Sequence, residues 1–152
     1  TKIIKVPNPI NVKEIIKKEN PQSYLVLAGP TEPETPLPDD DRVIYLGLMT
    51  HQDVATLFQA LDVGVMCVPD DEFGRYCFPQ KAYEMLATNL AVVGTNIGDL
   101  IQILQASEVY KSGDAGDLAE KIILQIQKPN ILKLNIPNWE STISLFETRL
   151  YK

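Results

Sequence analysis

Arg75, Lys81 and Glu84 stand around one proline, Pro79. Proline is a natural first residue of a helix, because it lacks the amide hydrogen that has no intrahelical partner there. The amides of Gln80 and Lys81 would then point out of the helix start, where aligned peptide dipoles place roughly half a positive charge. With Arg75 and Lys81 beside it, that end would suit a phosphate or a diphosphate. The same two side chains also serve as ordinary solvated charges, and composition alone does not separate the readings. Glu84 falls about one turn inside this helix. Helical spacing puts Ala82, Tyr83 and Leu86 on a core-facing side and Lys81, Glu84 and Thr88 on the opposite one. A carboxylate there can accept hydrogen bonds from two vicinal hydroxyls, such as those of a ribose. The same spacing also makes a surface ion pair with Lys81, worth well under about 1 kcal/mol. By spacing alone the ion pair is the favoured reading.

Other chemistries find no support. His51 is the sole histidine, and the sequence has no metal-ligand cluster, so a metal site and a histidine-based nucleophile relay are set aside. Cys67 lies in an apolar run, as a reduced, buried thiol of a cytoplasmic protein would; with Cys77 it makes two thiols in a chain too large to need stapling. The formal net charge of -6 argues against a nucleic-acid partner. No apolar run approaches the roughly 18 residues of a membrane span, and no signal peptide is read at the start.

The elements that must position these residues follow from periodicity. At 152 residues the chain reads as one domain with one core. Residues 11–18 carry Val12, Ile15 and Ile16 at helical spacing, and Pro21 ends that helix. Residues 24–28 form a buried strand closed by Gly29-Pro30. Residues 31–41 are a proline-rich, acidic surface loop. A strand over 43–46 breaks at Gly47. Thr50 then caps a helix with Val54, Leu57, Phe58 and Leu61 inward. Residues 63–68 are a strand apolar on both faces, residues 70–79 a long polar loop, and residues 90–93 a further strand. A helix over 97–104 turns Leu100, Ile101 and Leu104 inward, and Val109-Tyr110 is an edge strand. The helix over 114–127 buries Leu118, Ile122, Ile123 and Ile126, and a closing helix over 139–150 spaces Ile143, Phe146 and Leu150. Strands apolar on both faces that alternate with helices predict an α/β domain, a Rossmann-like three-layer sandwich around a mostly parallel sheet. Its ligand crevice would lie beyond the carboxyl ends of the strands.

Against that frame the middle of the chain resembles a known family. Leu61-Asp62-Val63 leads into an apolar strand ending at Val68-Pro69; after the loop come Glu84-Met85-Leu86-Ala87 and then Ala91-Val92-Val93-Gly94-Thr95. This order resembles the donor-binding, carboxyl-terminal half of retaining glycosyltransferases with the two-domain GT-B fold, most closely the large family 4. The resemblance runs from about Val12 to the end, through Tyr45-Leu46-Gly47, Asp117-Leu118-Ala119 and the helix from Trp139. It implies that Glu84 holds the ribose hydroxyls of a nucleotide sugar. It also implies that Gly47, Leu48 and Met49 bracket the base, and that residues 75–81, with Arg75, Tyr76 and Lys81, approach the diphosphate and sugar. Residues 97–99 would lie near the nucleotide. The implied partners are a nucleoside diphosphate sugar, used as substrate with no further cofactor, and an amino-terminal acceptor domain of the same enzyme. Membrane contact in the full enzyme would be peripheral at most.

Two departures stand out. The family often carries a second acid eight positions before the ribose glutamate, and Tyr76 occupies that position. It also carries an arginine and a lysine five residues apart after its first strand, whereas no arginine precedes Arg42 and a first strand is barely visible in residues 1–6. Either the chain begins after that pair, or Arg75 and Lys81 substitute for it. The departures keep a second reading open, a non-catalytic nucleotide-binding or interaction module on the same fold. A sugar epimerase would need acid and base residues that have no place here, and a receiver-like signalling domain lacks its clustered acids.

Overall fold

The computed structural model describes residues 22–31, 36–134 and 139–150. The expected helix over 11–18 and the faint strand in 1–6 lie outside the described residues, as does part of the 31–41 loop.

Among the described residues, five strands and six helices follow in order: β1 (Leu25–Leu27), β2 (Val43–Tyr45), α1 (His51–Ala60), β3 (Val63–Met66), α2 (Glu72–Tyr76), α3 (Gln80–Ala87), β4 (Ala91–Thr95), α4 (Leu100–Ile103), β5 (Val109–Tyr110), α5 (Ala115–Gln127) and α6 (Trp139–Leu150). Every ladder is parallel: β1 with β2, β3 with β4, and β4 with β5. Among the described residues the strands form two sheets rather than the single one expected, β1-β2 and β3-β4-β5. Among the described residues no backbone hydrogen bond joins them. They meet through side chains, because Leu25 of β1 shares a core with Val63 and Val65 of β3.

Strand alternation sorts the core into two faces. Val63, Val65, Val93 and Tyr110 pack with Leu118 and Ile122 of α5. Val92 faces the other way, among Phe58 and Leu61, Ala82, Met85 and Leu86 of α3, and Leu100 and Leu104. Each fully buried side chain of this size contributes about 1.5–3 kcal/mol. Gly64 in β3 lets α3 lie close, since a Cβ there would come within 2.6 Å of Met85 Sδ.

Several expectations are corrected. Cys67, Val68 and Pro69 leave the ladder after Met66, where Thr95 Oγ1 instead accepts from the Val68 amide at 3.1 Å. The 70–79 loop contains α2, capped by Asp71, whose carboxylate accepts from the Gly74 amide at 2.7 Å. On α3 the core side is Ala82, Met85 and Leu86; Tyr83 is half-buried and stacks on Phe78 at 5.1 Å. Ile101, Ile143 and Phe146 are exposed, and Ile123 and Ile126 are only half-buried. Gln125 takes a buried place on α5 instead.

At the amino end of β5 a buried polar cluster ties the layers together. The Glu108 carboxyl group accepts from the Gln105 amide at 2.7 Å and from Asn130 Nδ2 at 2.6 Å. The Asn130 amide donates to Gln125 Oε1 at 2.9 Å. The chain after α5 thereby reaches the far face, where Leu132 and Leu134 pack on the second core.

Candidate functional site

The site is built from the loops at the carboxyl ends of β2, β3 and β4. The β3 loop is the most constrained. Gly74 is buried, and a Cβ on it would collide with the Pro69 carbonyl. Gly98, in the loop after β4, has φ +56, and a Cβ there would lie 2.8 Å from the Gly74 carbonyl and 3.1 Å from that of Arg75. Only glycine combines that left-handed backbone with so close an approach. The Gly74–Arg75 backbone is therefore packed between Pro69, which meets Gly74, and Gly98, which meets both residues.

Its side chain is not. Arg75 and Asp70 are each 58% exposed, and Asp70 Oδ1 accepts from Nε at 3.0 Å and from Nη2 at 2.8 Å. Tyr76 is 87% exposed. The sequence pointed to Arg75 but missed Asp70, which holds it.

Pro79 is the cap of α3 rather than its first residue, with φ -82 and ψ 59. The Gln80 amide does not face outward as expected; it donates to the Phe78 carbonyl at 2.8 Å. The start of α3 is thus a partly satisfied turn, and its electrostatics rest more on side chains than on free amides.

Glu84 lies one turn in, with its side chain 28% exposed. Lys81 Nζ donates to Oε2 at 2.6 Å and Gln80 Nε2 to Oε1 at 2.8 Å. Desolvation is the largest single influence on Glu84 and pushes its pKa up. The hydrogen bonds from Lys81 and Gln80, with the charges of Lys81 and His51, outweigh it and hold the group below the usual carboxylate range. Glu84 is an ionised acceptor at neutral pH. The i, i+4 spacing of Gln80 and Glu84 carried a signal for that second bond.

Gly47, Leu48 and Met49 hang from β2. Gly47 has φ +69, and its carbonyl accepts from the Gly29 amide at 2.9 Å, while Tyr45 Oη donates to the Gly29 carbonyl at 2.7 Å. The loops after β1 and β2 are tied together in this way. Leu48 is 80% exposed and Met49 half-buried. His51 follows directly as the first residue of α1, which packs against α3. Its charge contributes the smallest of the lowering influences on Glu84. Sequence reasoning set His51 aside as a nucleophile relay and missed this placement; its position just after the Thr50 cap was the available signal.

Beneath the site, Tyr110 Oη donates to Cys67 Sγ at 3.0 Å. Burial pushes the Cys67 thiol up to about 11, against a smaller lowering by the hydrogen bond from Tyr110. This thiol is a protonated floor group. Among the described residues no group of three or more histidine, cysteine or acidic side chains could hold a metal ion, and no helix is long and apolar enough to cross a membrane.

Comparison with solved structures places the fold. Sucrose-phosphate synthase (tll1590) from Thermosynechococcus elongatus superposes with a TM-score of 0.70 at 22% identity, over 98% of this chain and 44% of that one. Anabaena Alr3699/HepE in complex with UDP-glucose gives 0.62 at 17% identity, over 82% of this chain and 39% of that one. AviGT4, a glycosyltransferase involved in avilamycin A biosynthesis, gives 0.57 at 18% identity, over 99% and 50%. At these identities the likeness concerns the fold, a Rossmann-like domain of GT-B glycosyltransferases, and the chain spans half or less of each of these structures. A search of curated protein sequences gives no match. Residues 10–128, well over half of the chain, match the family described as "Glycosyl transferases group 1", and the protein belongs to that family.

Proposed function

We propose that this chain is the donor-binding domain of a retaining, family 4-like glycosyltransferase, which moves a sugar from a nucleoside diphosphate sugar to an acceptor. Glu84 carries the reading. It is an ionised carboxylate one turn inside a helix that follows the carboxyl end of a parallel strand, in a chain of the group 1 family. Its two oxygens can accept from the two hydroxyls of a ribose. Gly47, Leu48 and Met49 would bracket the base. Arg75, Lys81 and Tyr76 would face the diphosphate and sugar. Support comes also from the solved complexes of Alr3699/HepE with UDP and with UDP-glucose.

The chemistry asked of this half is electrostatic. A departing diphosphate gains negative charge as the glycosidic bond breaks, and positioned cations stabilise that charge most in the transition state. Acceptor binding and turnover would fall to an amino-terminal domain of the same cytoplasmic enzyme, so residues 1–152 alone would bind nucleotide and transfer little. Tyr76, standing where a second acid would meet the donor hexose, favours one alternative, a nucleotide-binding module without turnover.

Calorimetric titration with UDP, GDP and ADP tests the reading. At least one is expected to bind, and no heat at millimolar nucleotide would reject the donor site. Glu84→Ala is expected to weaken nucleotide binding by about 1.5–3 kcal/mol, the worth of a charge-assisted hydrogen bond. Unchanged affinity in a folded variant would remove Glu84 from the ribose.

A further inference from the structure

Both candidate cations of the site are already occupied by carboxylates of the chain itself, but in different ways. Lys81 and Glu84 are three residues apart on one helix, and Gln80 supports the pair. Asp70 and Arg75 belong to different local structures, Asp70 to the exit from β3 and Arg75 to the last turn of α2. One oxygen of Asp70 takes both guanidinium bonds, at 3.0 and 2.8 Å. Neighbouring Asp71 is committed to capping α2 through the Gly74 amide. The Arg75 backbone is fixed by the packing of Gly74 on Pro69 and of Gly98 on Arg75, while its guanidinium is in water. Breaking the pair therefore costs the exposed ion pair itself and a rotamer change, without movement of the backbone.

We propose that Asp70 is an internal competitor for the diphosphate. It holds the Arg75 guanidinium while the site is empty, gives it up to a phosphate oxygen on donor binding, and takes it back as the nucleoside diphosphate leaves. The inference rests on the donor-binding reading above. Arginine favours planar anions that accept two of its N–H groups, and a phosphate offers more charge and more acceptor oxygens than the single carboxylate oxygen it replaces. A nucleoside lacks that charged group, so Asp70 would discriminate between ligands with and without phosphate. No proton or covalent bond moves in the exchange.

The test is a double-mutant cycle on Asp70→Asn and Arg75→Ala, read by calorimetry with whichever of UDP, GDP and ADP binds, and with its parent nucleoside. Asp70→Asn is expected to tighten the diphosphate by about three- to fivefold, the range open to an exposed ion pair. The nucleoside should bind as before. In the Arg75→Ala background Asp70→Asn should have no effect. Unchanged or weaker diphosphate binding by Asp70→Asn overturns the proposal. So does an equal gain for the nucleoside, or a gain that persists without Arg75. These results leave the donor-binding reading intact, whereas failure of every form to bind any nucleotide overturns both. Circular dichroism confirms that each variant is folded; both side chains are exposed, and neither belongs to the core.

Discussion

Two glutamates beside the β3-β4-β5 sheet make different use of the same functional group. Glu84, on the carboxyl side, is part-exposed and holds a flexible lysine and a glutamine side chain. Glu108, the residue just before β5, is fully buried and is held by a backbone amide and by an asparagine that is itself fixed near Gln125. The first has partners that can swing away into water. The second has partners that cannot leave without exposing a cavity. One carboxyl group is arranged for exchange and the other for permanence.

The sharpest way to break this contrast is to remove each side chain in turn. Glu108→Ala is expected to destabilise the fold by about 3 kcal/mol, because it opens a buried space and strands the Gln105 amide and Asn130. Urea unfolding measures this, and a loss below the error of the fit would make Glu108 dispensable. Next in size is a pH effect under the site. The Cys67 pKa rises in the fold from 9.0 to about 11. The unfolded chain therefore loses this proton first as pH rises. The stabilisation is complete below pH 9 and is lost up to about pH 11, by an amount on the order of 2–3 kcal/mol. Tyr110, whose pKa burial also raises, acts in the same direction. Denaturant midpoints at pH 8 and 10.5 should differ in wild type, and the difference should shrink in Cys67→Ala. The smallest expected effect is that of Glu84→Ala on stability, under about 1 kcal/mol at neutral pH, since its partners stay hydrated. A loss as large as that of Glu108→Ala would show Glu84 to be a structural group.

Much of this fold is written in local patterns. The runs at 63–68 and 90–93 read as strands because both of their faces are apolar, and they fall within a few residues of β3 and β4. Thr50 and Asp114 mark their helices by capping chemistry, and both accept from backbone amides as their type requires. What the sequence hid depends on contacts between distant segments. Glu108 in Ala106-Ser107-Glu108 reads as a surface acid, and only Asn130, arriving from beyond α5, makes it a core residue. The helix α2 is too short for periodicity to show, although Asp71 and Gly74 bear its capping signature. In the candidate site the cations and Glu84 were legible from spacing and resemblance. Their present partners were legible only where the pairing is helical, as for Lys81 and Gln80. The Asp70–Arg75 bond spans a turn whose shape follows from the packing of Gly74 and Gly98, and no spacing rule reports it.

The clamp on the Arg75 backbone gives its charge a pivot and a radius. The Pro69 carbonyl on one side and Gly98 on the other set the pivot, and the length of an arginine side chain sets the radius. The guanidinium can sweep only a shell about that point, and Asp70 already lies on it. Any anion that takes the arginine from Asp70 must lie within the same reach, so the two glycines that fix this backbone also limit where such an anion can sit.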